Sequence, residues 1–158
     1  MKSLVVYYSR TGNTKFVAET IMKELEADLE EIVDLKNRQG NLGYFGGLGD
    51  GYRGKETPIA ETKLSPTEYD LIIVGTPVWS WSPTPAIRTY LAKNKGLSGK
   101  KVALFFTQNG ELKPYAIEKT KALMPNASVK GVLTISKALS DKAETEKKVV
   151  AWCTTLKQ

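Results

Sequence analysis

A hydroxyl-rich turn, Ser9-Arg10-Thr11-Gly12-Asn13-Thr14, directly follows the apolar run Leu4-Val5-Val6-Tyr7-Tyr8. The run reads as a buried strand, and the residues from Asn13 to about Ala27 read as a helix. The turn therefore lies between the C-terminal end of a strand and the N-terminus of a helix. The first N–H groups of a helix have no internal partner, and the helix dipole favours negative charge beside them. Ser9, Thr11 and Thr14 add hydroxyl donors, Asn13 adds an amide, and Gly12 lets the backbone come close and take an unusual φ. Phosphate is the anion that such a turn would hold. An ordinary capped helix, with Asn13 or Thr11 as N-cap, accounts for the same residues. The spacing fits neither G-x-x-x-x-G-K-[ST] nor G-x-G-x-x-G, which excludes a P-loop and a dinucleotide fingerprint.

Two further segments carry unusual chemistry. Thr76-Pro77-Val78-Trp79-Ser80-Trp81-Ser82-Pro83-Thr84-Pro85 packs two tryptophans, hydroxyls and prolines into a connection. Prolines stiffen the backbone, and tryptophan offers a broad face to a planar ring, whose edge backbone N–H and C=O groups can meet. One of Trp79 and Trp81 is expected to cap the core instead. Thr107-Gln108-Asn109-Gly110 offers side-chain amides that can donate and accept at a pyrimidine-like edge, although Asn-Gly is also a plain turn signal.

The composition narrows the chemistry. The 158-residue chain has no histidine and one cysteine, Cys153. Ser-His and Cys-His catalysis, histidine metal sites and an internal disulfide are excluded, so any redox or group-transfer chemistry points to a bound cofactor. The net charge is +6 and unevenly spread: residues 1–82 hold 9 basic and 12 acidic side chains, residues 83–158 hold 14 and 5. A solvated lysine surface explains this, and an acidic protein partner is the alternative. Nucleic acid is not expected, because no basic block interleaved with aromatics occurs. The opening apolar run is too short for a signal peptide and no run approaches a membrane span, so a cytoplasmic protein without membrane attachment is expected.

The elements that must position these loops alternate. Strands are expected at Leu4–Tyr8, Leu29–Asp34, 71–75, Val102–Phe106 and Val129–Ile135. Helices are expected from Asn13, over Pro85–Lys95, over Pro114–Met124, and over Asp141–Leu156 with Val149, Val150 and Trp152 inward. Continuous apolar strands alternating with helices predict a doubly wound α/β sheet in a single domain, 1–158. Residues 36–69, rich in glycine but also carrying Tyr44, Phe45 and Tyr52, are expected to form an irregular connection with a short helical piece.

Ser9 to Thr14 after a first strand resembles the FMN-phosphate loop of flavodoxins, whose T-G-x-T core matches Thr11-Gly12-Asn13-Thr14. Gly75-Thr76-Pro77-Val78-Trp79 resembles their second flavin loop, and the third loop matches loosely, because no aromatic lies within 107–110. The resemblance implies a flavodoxin-like fold, with five parallel strands in the order 2-1-3-4-5 and helices on both faces. It implies an FMN-binding electron-transfer protein, or alternatively an NAD(P)H-dependent flavin or quinone reductase on the same fold. Ser9, Arg10, Thr11, Gly12, Asn13 and Thr14 would surround the phosphate, with Arg10 mainly in solvent. Thr76, Pro77, Val78, Trp79, Ser80 and Trp81 would hold one side of the ring, and Thr107, Gln108, Asn109 and Gly110 the pyrimidine end. No metal is implied. Many flavodoxins have glycine where Ser80 stands, so the backbone here is expected to resist φ > 0. Flavodoxins are also typically acidic, so the redox partner of this basic chain would be acidic.

Overall fold

The computed structural model describes residues 1–111 and 114–158. Strands β1 (Ser3–Tyr7), β2 (Asp28–Glu31), β3 (Leu71–Trp79), β4 (Ser82–Pro83), β5 (Lys101–Gln108) and β6 (Ser128–Ser136) form the sheet. Helices α1 (Asn13–Leu25), α2 (Gly40–Tyr52), α3 (Pro85–Lys93), α4 (Tyr115–Ala122) and α5 (Lys142–Leu156) connect and cover it. The parallel strands lie in the order β2-β1-β3-β5-β6, with β4 paired antiparallel to the end of β3. Counting the parallel strands alone, this is the expected 2-1-3-4-5.

Side chains of a strand alternate between faces, and here both faces are covered. Leu4, Val6, Ile72, Val74, Val102, Leu104 and Phe106 pack with Ile87, Tyr90 and Leu91 of α3 and Ala116 of α4. Val5, Tyr7, Ile73, Ala103 and Phe105 pack with Val17, Ala18 and Ile21 of α1 and Val149 and Cys153 of α5. Burial on both sides is why these strands read as unbroken apolar runs rather than alternating ones. No helix among the described residues is long and apolar enough to cross a membrane.

Four expectations change. The second strand is shorter and earlier than 29–34, and Asp34 instead bridges to Ile59. Val150 faces solvent, because the inward stripe of α5 runs through Thr145, Val149, Cys153 and Leu156. Residues 36–69 contain a 13-residue helix, α2, where only a short piece was expected. The part of 76–84 nearest the sheet is not a loop. β3 continues through Pro77, which pairs with Thr107, then turns back as a hairpin with Val78 opposite Pro83 and Trp79 opposite Ser82.

The hairpin overturns the expectation for Ser80. Its two loop residues, Ser80 and Trp81, both have positive φ, 51° and 57°. Two-residue hairpin loops of this hand match the twist of their strands, which offsets the cost of a left-handed side-chain residue. Ser80 Oγ also donates to the carbonyl of Leu48, 2.9 Å away, tying the hairpin to α2.

Helix α2 lies directly on this hairpin because of its glycines. A Cβ at Gly47 would sit 2.6 Å from Trp79 Cζ3, and one at Gly51 would sit 2.8 Å from the Trp79 carbonyl oxygen. An ionic network fixes the same helix. Arg38, almost wholly buried, donates to Asp34 at 3.0 Å and to Asp50 of α2 at 2.7 Å, and Lys36 donates to Asp50 at 2.8 Å. Thr57 Oγ1 donates to the other oxygen of Asp34.

Candidate functional site

Residues from three strand ends and one helix meet around a cavity of about 100 Å³ at the C-terminal edge of the sheet. From the first loop come Arg10, Thr11, Asn13 and Thr14. From the end of β3 come Pro77, Val78 and Trp79, and from the end of β5 come Thr107, Gln108 and Asn109. The crevice where strand order reverses is where an open α/β sheet leaves such a gap. The three segments singled out in the sequence therefore converge, although 98 residues of chain separate Arg10 from Gln108.

The first loop is built by Gly12, which occupies the N-cap position of α1 at φ 93°. Ser9 Oγ accepts from the Gly12 N–H at 3.1 Å, so this hydroxyl closes the turn from within. The first intrahelical bond runs from Phe16 N–H to the Gly12 carbonyl. The N–H groups of Asn13, Thr14 and Lys15 find no acceptor among the described residues. Asn13 spends its side chain on the scaffold: Oδ1 accepts from Leu139 N–H, and Nδ2 donates to Thr11 Oγ1. Thr11 Oγ1 thus has its oxygen engaged and its hydrogen available. Thr14 Oγ1 meets Thr107 Oγ1 at 2.8 Å in a buried contact that joins the first loop to the third.

Other expected residues support the cavity from outside it. Thr76 is buried, its hydroxyl shared between the Pro77 carbonyl and Thr84. Ser80 is tied to α2, Trp81 is half exposed at the hairpin tip, and Gly110 caps Gln108 by accepting from its Nε2 at 2.7 Å. Trp79 borders the cavity but is only 5% exposed, and its indole meets Tyr8 edge-on at 5.6 Å. Of the two tryptophans, Trp79 is the one that caps the core.

Arg10 departs from the solvent role expected for it. It is half-buried, its guanidinium lies 4.9 Å from the ring centroid of Tyr44, and Nη1 donates a long 3.5 Å bond to the Arg38 carbonyl. Tyr44, on α2, also lines the cavity and was missed in the sequence reading. Its only signal was an aromatic residue inside a glycine-rich segment, which gives no register.

The electrostatics are one-sided. Among the described residues, the cavity lining holds one cation, Arg10, and no carboxylate. Acidic groups nearby are committed elsewhere. Lys36 holds the Asp50 carboxyl below its ordinary range against the opposing effect of burial, with Arg38 adding to the effect. Burial works against the charge on Arg38, but hydrogen bonds to Asp50 and Asp34 outweigh it and keep the guanidinium charged. Burial, with Asp34 second, pushes the Tyr8 phenol up to about 12, so it stays neutral.

A family model described as flavodoxin matches residues 52–156, which include the second and third loops. No curated protein matches. Among solved structures, the chain is similar to a flavoprotein in complex with FMN from Lactobacillus acidophilus NCFM. The two are 27% identical over 88% of this chain and 96% of that one, with a TM-score of 0.73. It is also similar to oxidised flavodoxin 2 from Bacillus cereus, at 23% identity, 99% and 98% coverage and a TM-score of 0.67. A protein of Bacteroides uniformis ATCC 8492 superposes with a TM-score of 0.81 at 21% identity and 97% coverage of each chain. The last two resemblances speak to the fold alone. Because the family model covers well over half of its length, the chain belongs to the flavodoxin family.

Proposed function

We propose that this chain binds FMN between its three loops and transfers electrons. The observation that carries this reading is the charge and donor pattern of the first loop. N–H groups at the start of α1 with no acceptor among the described residues, the Thr11 hydroxyl and the Arg10 guanidinium border a cavity whose described lining holds no carboxylate. Such a donor set fits a phosphate and opposes no charge to it. A cavity of about 100 Å³ admits the phosphate end. The ring would lie across its open mouth, beside Pro77, Val78 and the amides of Gln108 and Asn109.

When bound, FMN would supply the redox chemistry. The chain's own part is to bind, orient and shield. Thr11 and the α1 amides hold the phosphate. The β3 backbone, stiffened by Pro77 and by the hairpin, presents its polar groups to one edge of the ring. The Thr14–Thr107 contact keeps the first and third loops at a fixed spacing. The excess of basic residues in 83–158 favours an acidic redox partner, with association slowed by salt.

The test compares FMN with riboflavin, which lacks the phosphate, by fluorescence titration. FMN should bind far more tightly, because each charge-assisted hydrogen bond contributes about 1.5–3 kcal/mol. Thr11→Ala should weaken FMN and leave riboflavin nearly unchanged. Equal affinity for the two flavins in the native protein would overturn the reading. Adding NADH or NADPH with a quinone then separates carrier from enzyme: repeated bleaching marks a reductase, and inertness marks a carrier.

A further inference from the structure

An FMN site gains affinity from an aromatic face against the ring, and the three loops of this chain offer none. The third loop has no aromatic among residues 107–111. Tyr115 is 61% exposed and lies outside the cavity lining. Trp79 borders the cavity, but the Tyr8 ring and the backbone of Gly47 hold its indole in the core. Trp81 stands outside the lining. One other aromatic ring lines the cavity among the described residues, Tyr44, and it comes from α2.

The helix that carries Tyr44 is anchored at several points. Helix α2 is pinned by the 2.7 Å Arg38–Asp50 pair, by Ser80 Oγ on the Leu48 carbonyl, and by the seating of Gly47 on Trp79. The Tyr44 ring, 39% exposed, lies 4.9 Å from the Arg10 guanidinium and 5.7 Å from the Phe45 ring, edge-on at 63°. Arg10 has no carboxylate within ion-pair distance among the described residues, although acidic residues lie nearby in the Arg38 network. Its charge remains uncompensated one residue from Thr11. The same guanidinium therefore touches the aromatic ring on one element and flanks the phosphate-type turn on another.

We infer that Tyr44 is the aromatic neighbour of the flavin ring in this site, and that Arg10 couples it to the phosphate loop. This inference rests on the FMN reading. A cation over an aromatic face is attracted by the ring quadrupole, and a guanidinium keeps donors free in its plane while it stacks. One side chain can thus order Tyr44 and present charge to an anion. The glycine-rich helix serves to bring Tyr44 to the cavity.

The experiment titrates ligand-free protein with FMN and riboflavin, following flavin fluorescence. Tyr44→Leu should weaken both flavins alike, by about tenfold, as loss of one stacking face does. Tyr44→Phe should bind both within about twofold of the native protein. Arg10→Gln should weaken FMN by about tenfold and riboflavin by clearly less. Circular dichroism checks the fold, and Tyr44→Gln repeats the test should Tyr44→Leu unfold. Native protein that binds FMN, with Tyr44→Leu or Tyr44→Gln binding both flavins as tightly, overturns the role of Tyr44 and leaves the FMN reading standing. Equal losses of FMN and riboflavin in Arg10→Gln overturn the coupling. Native protein that fails to bind FMN overturns both.

Discussion

Substituting alanine at three glycines of α2 should change stability in opposite directions. Gly46 and Gly49 have nothing within 4 Å of an added Cβ. Alanine there gains about 0.8–1.0 kcal/mol of helix propensity and meets no neighbour. At Gly47 the same methyl would lie 2.6, 3.0 and 3.2 Å from three carbons of the Trp79 ring. Carbon atoms rest at about 3.5–4.0 Å, so ring or helix must move by about an ångström. The ring is 5% exposed and wedged against Tyr8, so it has little room to yield. Overpacking of this kind costs about 1–3 kcal/mol, of which propensity returns about one. Gly47→Ala should therefore be less stable by up to about 2 kcal/mol, while Gly46→Ala and Gly49→Ala should each be more stable by about 1. Urea unfolding measures this as opposite shifts of the midpoint at constant slope. In thermal melts each kcal/mol corresponds to about 2–4 °C for a chain of this size. Gly47→Ala should also weaken FMN, because Trp79 borders the cavity. If Gly47→Ala is stabilised as much as Gly46→Ala and Gly49→Ala, α2 does not rest on Trp79 and its mounting of Tyr44 is wrong.

Arg38→Met leaves Asp34 buried without its cation and Asp50 with Lys36 alone, and should cost about 3–5 kcal/mol in urea unfolding at neutral pH. The Asp50 carboxyl is held below its ordinary value, so its contribution is present above the unfolded carboxylate pKa, about 4, and fades as pH falls through the lower folded value. Native stability should accordingly drop on acidification below about pH 4, and a parent curve that stays flat there would refute the network's role. Ser80→Ala should lose about 1 kcal/mol with the Leu48 hydrogen bond. Ser80→Gly should be near neutral, because relief of the left-handed conformation, about 1 kcal/mol, offsets the same loss; matched midpoints for the two variants would show that the turn is not left-handed. Trp79→Ala should cost about 3–5 kcal/mol, as large core truncations do, whereas Trp81→Ala should move the midpoint little.

The α/β class and most of the helix and strand positions were legible in the sequence because each rests on local pattern. Leu4 to Tyr8 is an unbroken apolar run because β1 is buried on both faces, and Thr11-Gly12-Asn13-Thr14 carries its turn chemistry in its own residues. Even the pairing of the three loops followed from the sheet's strand order. What failed was whatever depended on partners distant in sequence. Ser80 was expected to resist positive φ on its intrinsic preference, but the pairing of Trp79 with Ser82 imposes the left-handed turn and Leu48 fastens it. Trp79 reads as a stacking platform by position alone, yet Tyr8 and Gly47 claim its ring. The glycines of α2 suggested irregularity. They form a helix because glycine is the residue that lets the α2 backbone press onto Trp79, while Arg38 ties that helix to Asp34. Tyr44 and Arg10 meet only as a result of that seating, 34 positions apart in the chain. Local composition determines which segments can hold a turn, a strand or an anion. Which aromatic ring faces the cavity is decided by close packing, where a single Cβ at Gly47 would be enough to change it.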